Sequence, residues 1–143
     1  KDIGYKVKLD TNGSRPEVLK RLLEEGLLDY AALDIKSSPA KYRQATGDLM
    51  DFEAAAQCVD LLRTKNISYE LRTTAVPGLV HLEGLEEIAR LLGPVPRFAL
   101  QQFRPKQTLD PAFAAVTPYP AIWFENARVV LGGWAEEFIV RGI

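Results

Sequence analysis

Two hydrophobic periods alternate along the chain, and each switch between them marks off a strand-like or a helix-like stretch. Tyr5-Lys6-Val7-Lys8-Leu9 alternates with period two and stops at Asp10-Thr11-Asn12-Gly13, the pattern of a strand running into a turn. Val18, Leu19, Leu22 and Leu23 then recur at helical spacing behind Pro16, with Asn12 or Ser14 as the capping residue and Gly26 as the stop. Leu28 to Asp34 is short and mostly apolar, as in a strand covered on both faces. Ser38-Pro39 opens a short helical stretch broken at Thr46-Gly47. Asp51 then caps a longer helix, to about Lys65, whose face is Ala55, Cys58, Val59, Leu61 and Leu62. Tyr69 to Val76 predicts a third strand, Glu83 to Leu92 a helix ended by Gly93-Pro94, and Phe98 to Phe103 a fourth strand. Ala121 to Leu131 predicts a helix and Phe138 to Arg141 a last strand. Between them and Arg104 lies a polar, proline-punctuated loop to Pro120, longer than a compact domain usually carries without a use.

Strand followed by helix, repeated, calls for crossover connections, so the pattern predicts an α/β fold of parallel strands alternating with helices. With 143 residues, 47% hydrophobic and 26% charged, the expectation is one domain over residues 1–143. A formal charge of −1 supplies no field that would select nucleic acid or an anionic membrane surface, and no local basic patch of the needed size is present. No apolar run approaches the roughly 20 residues of a bilayer span, and no signal-peptide pattern opens the chain, which together predict a cytoplasmic setting. Cys58, the one cysteine, rules out an intramolecular disulfide and a cysteine-rich metal site built from this chain alone. Its apolar helical surroundings mark it as a buried structural thiol.

In parallel α/β folds, the side chains that do chemistry stand at the C-terminal ends of strands and in the loops just after them. The predicted strands end in Asp10, Thr11 and Asn12; in Asp34 and Lys36; in Arg72, Thr73 and Thr74; and in Gln101, Gln102 and Arg104. Alternation aims Asp34 with Lys36, Arg72 with Thr74, and Gln102 with Arg104. Acids, a lysine, arginines and neutral hydrogen-bonding groups then converge on one mouth. Such a set suits a zwitterion: cations take a carboxylate, acids an ammonium or ribose hydroxyls. Singly, each cluster has a plain structural explanation, as a turn, an ion pair, a partner for Glu70 or a loop start before proline. Their joint placement at successive strand ends is what points to a ligand. His81 stands at no strand end and reads as a capping or surface residue, and Trp123, Trp134 and Tyr119 read as packing.

Four segments in this order, Leu9-Asp10-Thr11-Asn12-Gly13, Leu33-Asp34-Ile35-Lys36, Arg72-Thr73-Thr74-Ala75-Val76-Pro77-Gly78 and Leu100-Gln101-Gln102-Phe103-Arg104-Pro105 with Leu109-Asp110-Pro111 behind, carry a resemblance. They resemble the radical S-adenosylmethionine (SAM) activating proteins of anaerobic ribonucleotide reductase and of pyruvate formate-lyase, over nearly the whole chain. The resemblance implies a partial (β/α) barrel that binds SAM and a [4Fe–4S] cluster at its mouth, cleaves SAM reductively to a 5′-deoxyadenosyl radical and installs a glycyl radical on a partner enzyme. The implied partners are a glycyl-radical enzyme of either type and an electron donor such as flavodoxin or ferredoxin. Carried onto these residues, Asp10, Thr11 and Asp34 surround the methionine end of SAM, with a monovalent cation between the acids. Lys36 takes the SAM carboxylate, Arg104 lies near the ribose, Arg72 and Thr74 line the floor, and Asn12 and Gln102 complete the cofactor-binding set.

That family holds its cluster with three cysteines in a CxxxCxxC loop and takes the SAM amino group on a glycine-rich motif, and neither is in these 143 residues. The expectation is therefore the C-terminal part of such a domain with its first strands missing, unable to assemble the cluster and inactive alone. The Tyr5 to Leu9 strand is then an open edge, expected to self-associate or to leave a partly disordered N-terminus. Two other readings fit the same residues. One is a lysine-based lyase or aldolase with Lys36 as Schiff-base nucleophile and Asp10 or Asp34 as acid/base; the other is a non-catalytic module docking a partner through Lys106 to Pro120.

Overall fold

The alternating periods become, in order, β1 (Lys8–Thr11), α1 (Pro16–Glu24), β2 (Tyr30–Asp34), α2 (Pro39–Ala45), α3 (Phe52–Thr64), β3 (Ser68–Ala75), α4 (Leu82–Leu92), β4 (Val95–Gln102), α5 (Ala121–Val130) and β5 (Ala135–Arg141). This computed structural model describes residues 1–108 and 110–143; Leu109 of the Leu109-Asp110-Pro111 segment lies outside them. The strands pair in sequence order, β1-β2-β3-β4-β5, and every pair is parallel. Winding in one direction through right-handed crossovers sets the helices on a single face of the sheet. This is the expected α/β architecture of parallel strands alternating with helices, and the sheet is not closed into a barrel. Among the described residues no helix is long and apolar enough to cross a membrane.

Alternation along the strands sorts the side chains by face. Leu9, Ala31, Leu33, Leu71, Phe98, Leu100 and Phe138 meet Leu19 of α1, Val59 and Leu62 of α3, Leu85 and Ile88 of α4 and Phe124 of α5 in one hydrophobic core. The opposite face carries Lys8, Asp10, Asp34, Glu70, Arg72, Gln101 and Arg141. The apolar run of β2 is covered on both faces, as expected, with Ala31, Ala32 and Leu33 fully buried. Ala32 is fully buried yet stands outside the core cluster, because charged side chains lie over it from the strands on either side.

Boundaries moved where a local signal was overruled. β1 starts at Lys8 rather than Tyr5, because the Asp29 carboxylate accepts from the Val7 amide at 2.6 Å in place of a strand partner. β4 starts three residues early, at Val95, and carries Pro96 inside it. There it is registered only with β5 (Val95↔Ala135, Arg97↔Glu137), while pairing to β3 begins at Leu71↔Phe98, so the missing proline N–H is not needed on that side. β5 likewise begins earlier, at Ala135. The long loop after β4 contains two 3-10 turns, Pro105–Gln107 and Pro111–Ala115. Neither expected side-chain cap forms: Arg15 precedes α1, and Asp51 precedes α3 but turns its carboxylate to Arg43 at 3.3 Å.

The Asp10-Thr11-Asn12-Gly13 segment is tight for a packing reason. Thr11 Oγ1 accepts from the Gly13 amide at 3.1 Å and Asn12 Oδ1 from the Ser14 amide at 3.0 Å. Gly13 sits at φ +73°, and a Cβ there would lie 2.7 Å from Leu33 Cδ1 and 3.3 Å from Ala55 Cα. Only glycine lets the exit of β1 approach both β2 and α3 this closely.

Candidate functional site

Register places the first polar cluster. Asp10 stands opposite Ala32, and Asp34 opposite Arg72. Arg72 therefore has one carboxylate beside it and another two strands away, roughly 10 Å across the sheet, with only an alanine methyl between. Its guanidinium bridges that gap: Nε donates to Asp34 Oδ1 at 2.8 Å and Nη1 donates to Asp10 Oδ1. Lys36 Nζ donates to the other Asp34 oxygen at 2.9 Å. Burial by itself pulls the Arg72 pKa down, but the Asp34 and Asp10 carboxylates outweigh it and hold the group above its ordinary value. The position between the two acids, where the resemblance puts a monovalent cation, holds this guanidinium.

The cluster extends further than sequence reasoning reached. Glu70, with a side chain only 4% exposed, is 2.9 Å from Arg141 and 3.9 Å from Lys8, and Lys8 is 3.6 Å from Asp10. Arg141, Glu70, Lys8, Asp10, Arg72, Asp34 and Lys36 thus form one chain of charges of alternating sign across the sheet. A buried carboxylate such as Glu70 is tolerable only when paired in this way. Glu70, Arg72 and Thr74 share the parity of β3, which was the available sequence signal; the contribution of β5 had none.

A cavity of about 660 Å³ adjoins this ladder at the C-terminal ends of β3, β4 and β5. Its lining includes the polar Lys36, Thr74, Gln101, Arg104 and Arg141 and the apolar Val76, Leu79, Phe103 and Phe113. Phe113, from the second 3-10 turn, packs edge-on against Phe103 with ring centres 6.3 Å apart, so the turn that interrupts the long loop also walls the cavity.

Among the nine candidate residues, the structure brings Asp10, Asp34, Lys36 and Arg72 into direct contact, and sets Thr74 and Arg104 around the adjoining cavity with Lys36. Thr11 and Asn12 are spent on the turn around Gly13. Gln102 borders the cavity, but its amide is committed elsewhere, donating to the Tyr119 carbonyl at 2.8 Å and accepting from the Phe103 amide at 3.0 Å. β4 ends at Gln102, yet Gln102 and Arg104 both border this cavity, as their expected shared direction requires. Gln101, opposite Thr74 in register, is the glutamine on the charged face. His81 Nδ1 lies 3.4 Å from the Tyr119 hydroxyl at the start of α4, away from the ladder. Cys58 is buried against the Gly13 carbonyl, and burial pushes its thiol up to about 11. Among the described residues no group of three or more His, Cys, Asp or Glu side chains is placed to hold a metal ion.

As chemistry, this arrangement can take a zwitterion by exchange. A ligand carboxylate can replace Asp10 on Arg72, and an ammonium can take the carboxylate so released, without leaving any charge bare.

No family model matches the chain. In sequence it is 36% identical over 143 residues to a Methanocaldococcus jannaschii protein named "Putative glycyl-radical enzyme activating enzyme". That alignment covers 97% of this chain and 58% of the relative, so the chain spans a little over half of that protein's length. In structure it matches a domain of the pyruvate-formate lyase-activating enzyme of Bacteroides vulgatus with a TM-score of 0.75, covering 99% of this chain and 84% of that one. At 15% identity this second likeness is one of fold. The chain is therefore similar, along nearly all of its sequence, to a protein named as a glycyl-radical enzyme activating enzyme, and it shares the fold of a domain of another activating enzyme.

Proposed function

We propose that the chain is the part of a radical SAM activating enzyme that binds the methionine end of SAM and helps present a glycine of a partner enzyme. The observation that carries this is the Asp10–Arg72–Asp34–Lys36 cluster at adjacent parallel strand ends, a preformed set of acids and cations open to exchange with a zwitterion. The sequence likeness to a protein named as an activating enzyme supports it. The donor set fits SAM: Arg72 and Lys36 for the carboxylate, Asp10 and Asp34 for cationic or hydroxyl groups, and Thr74 and Arg104 for the sugar end across the cavity. Thr11 and Asn12 serve by holding the turn that places Asp10, and Gln102 by fixing the end of β4. This chain's single buried thiol does not fit a [4Fe–4S] cluster, whose ligands the reading assigns to another segment of the protein.

Held by Arg72, Lys36, Asp10 and Asp34, SAM would supply the radical chemistry by which an activating enzyme acts on a glycine of a glycyl-radical enzyme. The electron for that chemistry would come from a donor such as flavodoxin or ferredoxin. The residues of this chain bind and orient: Arg72 fixes the ligand carboxylate by a two-point contact, and Lys36 adds a movable point charge. Calorimetric titration tests the binding role. SAM is expected to bind the chain, and Asp34→Asn to weaken it by about tenfold, because the acid anchors both cations. Heat of binding unchanged by Asp34→Asn would refute the assignment.

A further inference from the structure

We propose that the cavity beside the charge ladder takes one carboxylate side chain of an extended peptide, with Arg104 as the residue that reads it. Charge accounting leads there. Of the cations around the cavity, Lys36 is held by Asp34 at 2.9 Å and Arg141 by Glu70 at 2.9 Å. Asp110, the one acid among the described residues of the lining, accepts from the Ala112 amide at 2.8 Å and caps its own turn. Arg104 is exposed and makes no ion pair among the described residues, so among these cations it is the one on which no carboxylate sits. Gly142, at φ +81°, leaves room for it: even a Cβ there would be 3.6 Å from the Arg104 guanidinium, which thus lies over the end of β5 beside Arg141.

One unpaired guanidinium fits a single carboxylate. A phosphate or diphosphate would have to strip Glu70 from Arg141 or Asp34 from Lys36, leaving a carboxylate bare in a partly buried site. The remaining lining suits the body of a peptide. The Thr74 hydroxyl and the Gln101 amide face the cavity without a hydrogen-bond partner among the described residues, ready for a peptide backbone, and Phe103 and Phe113 offer an apolar wall. That the peptide belongs to a partner protein rests on the proposed function; the preference for a carboxylate does not. The guanidinium fork has donors enough to serve a sugar hydroxyl on one edge and a carboxylate on the other.

The test is fluorescence anisotropy with two labelled, glycine-centred peptides that differ only in a Glu or a Gln two residues from the glycine. The Glu peptide is expected to bind about tenfold more tightly, and Arg104→Gln to abolish that difference while leaving the Gln peptide's affinity unchanged. Inorganic phosphate should compete poorly with the Glu peptide. Equal affinity for the two peptides, no binding of either, equal weakening of both by Arg104→Gln, or strong competition by phosphate would each overturn the proposal. Among the described residues Arg104 makes no side-chain hydrogen bond or ion pair that its loss would remove. Arg141→Lys, which keeps a cation for Glu70, gives a second variant expected to preserve the preference for Glu. A parallel SAM titration separates the two readings, since charge-dependent peptide binding without SAM binding would sink the cofactor role and leave this inference standing.

Discussion

Arg72 lies over Ala32 with a carboxylate at each end of its guanidinium, and this pair of contacts decides what its replacement does. Arg72→Gln removes the cation shared by Asp10 and Asp34, leaving them Lys8 at 3.6 Å and Lys36 at 2.9 Å, and should lower unfolding free energy by about 1–3 kcal/mol in a urea titration. Arg72→Lys should restore only part of it, since an ammonium cannot span both acids. An unchanged midpoint for Arg72→Gln would mean that the bridge is not populated in solution. Gly13→Ala adds a methyl where Leu33 and Ala55 already close the space and forces a left-handed backbone on alanine; a loss of about 2–4 kcal/mol is expected by the same titration. Cys58 and Tyr42 set the alkaline limit. Burial raises the thiol to about 11 and the phenol to about 12, from 9.0 and 10.0. Their folded values lie above the unfolded ones, so the stability they contribute is complete below about pH 9 and is lost as pH rises towards 11 and 12, at up to about 1.4 kcal/mol per unit for each group. Thermal unfolding followed from pH 8 to pH 11 should show this fall, lessened in Cys58→Ala once both midpoints are normalised at the lowest pH; a pH-independent difference between the two would contradict it.

At the scale of elements, strand ends were legible because period two is rigid. Asp34, Arg72 and Thr74 could be assigned to one face by counting, and the register places them there. Gln101 and Gln102 could not be told apart in the same way, because the answer turns on which residue ends β4. The start of β4 was hidden by Pro96, which reads as a strand breaker until the pairing shows that one neighbour is absent at that level. What covers Ala32 was not legible: a small apolar residue fits beneath apolar or charged neighbours alike, and only the packing shows which. Ala32→Leu should therefore behave unlike an ordinary core enlargement. The larger side chain lifts Arg72 off the sheet, so the Asp10–Arg72 contact is lost while the helix-side core is untouched. A double-mutant cycle with Asp10→Asn should show near-complete coupling, and independent effects would argue against contact through Arg72. β1 is an edge strand preceded by Ile3 and Tyr5, which are 81% and 73% exposed. Self-association through that edge is the expected outcome by sedimentation equilibrium, and a mass independent of concentration would contradict it.

Over the whole molecule, one choice of topology accounts for the rest. Sequential parallel strands wound in one direction place helices and core on one face and leave the other to charge, and every strand then delivers its last residues to the same end. The ladder from Arg141 to Lys36 and the cavity beside it are consequences of that winding, which is why a chain of modest net charge concentrates so many ionised groups in one place. The most direct test of this account is the response of backbone amide resonances to added SAM. The shifts should be concentrated at Asp10, Asp34, Lys36, Arg72 and Thr74, and should vanish in Asp34→Asn. Shifts confined to the helix face, or none at saturating ligand, would contradict the claim that these strand ends form a site for a zwitterion.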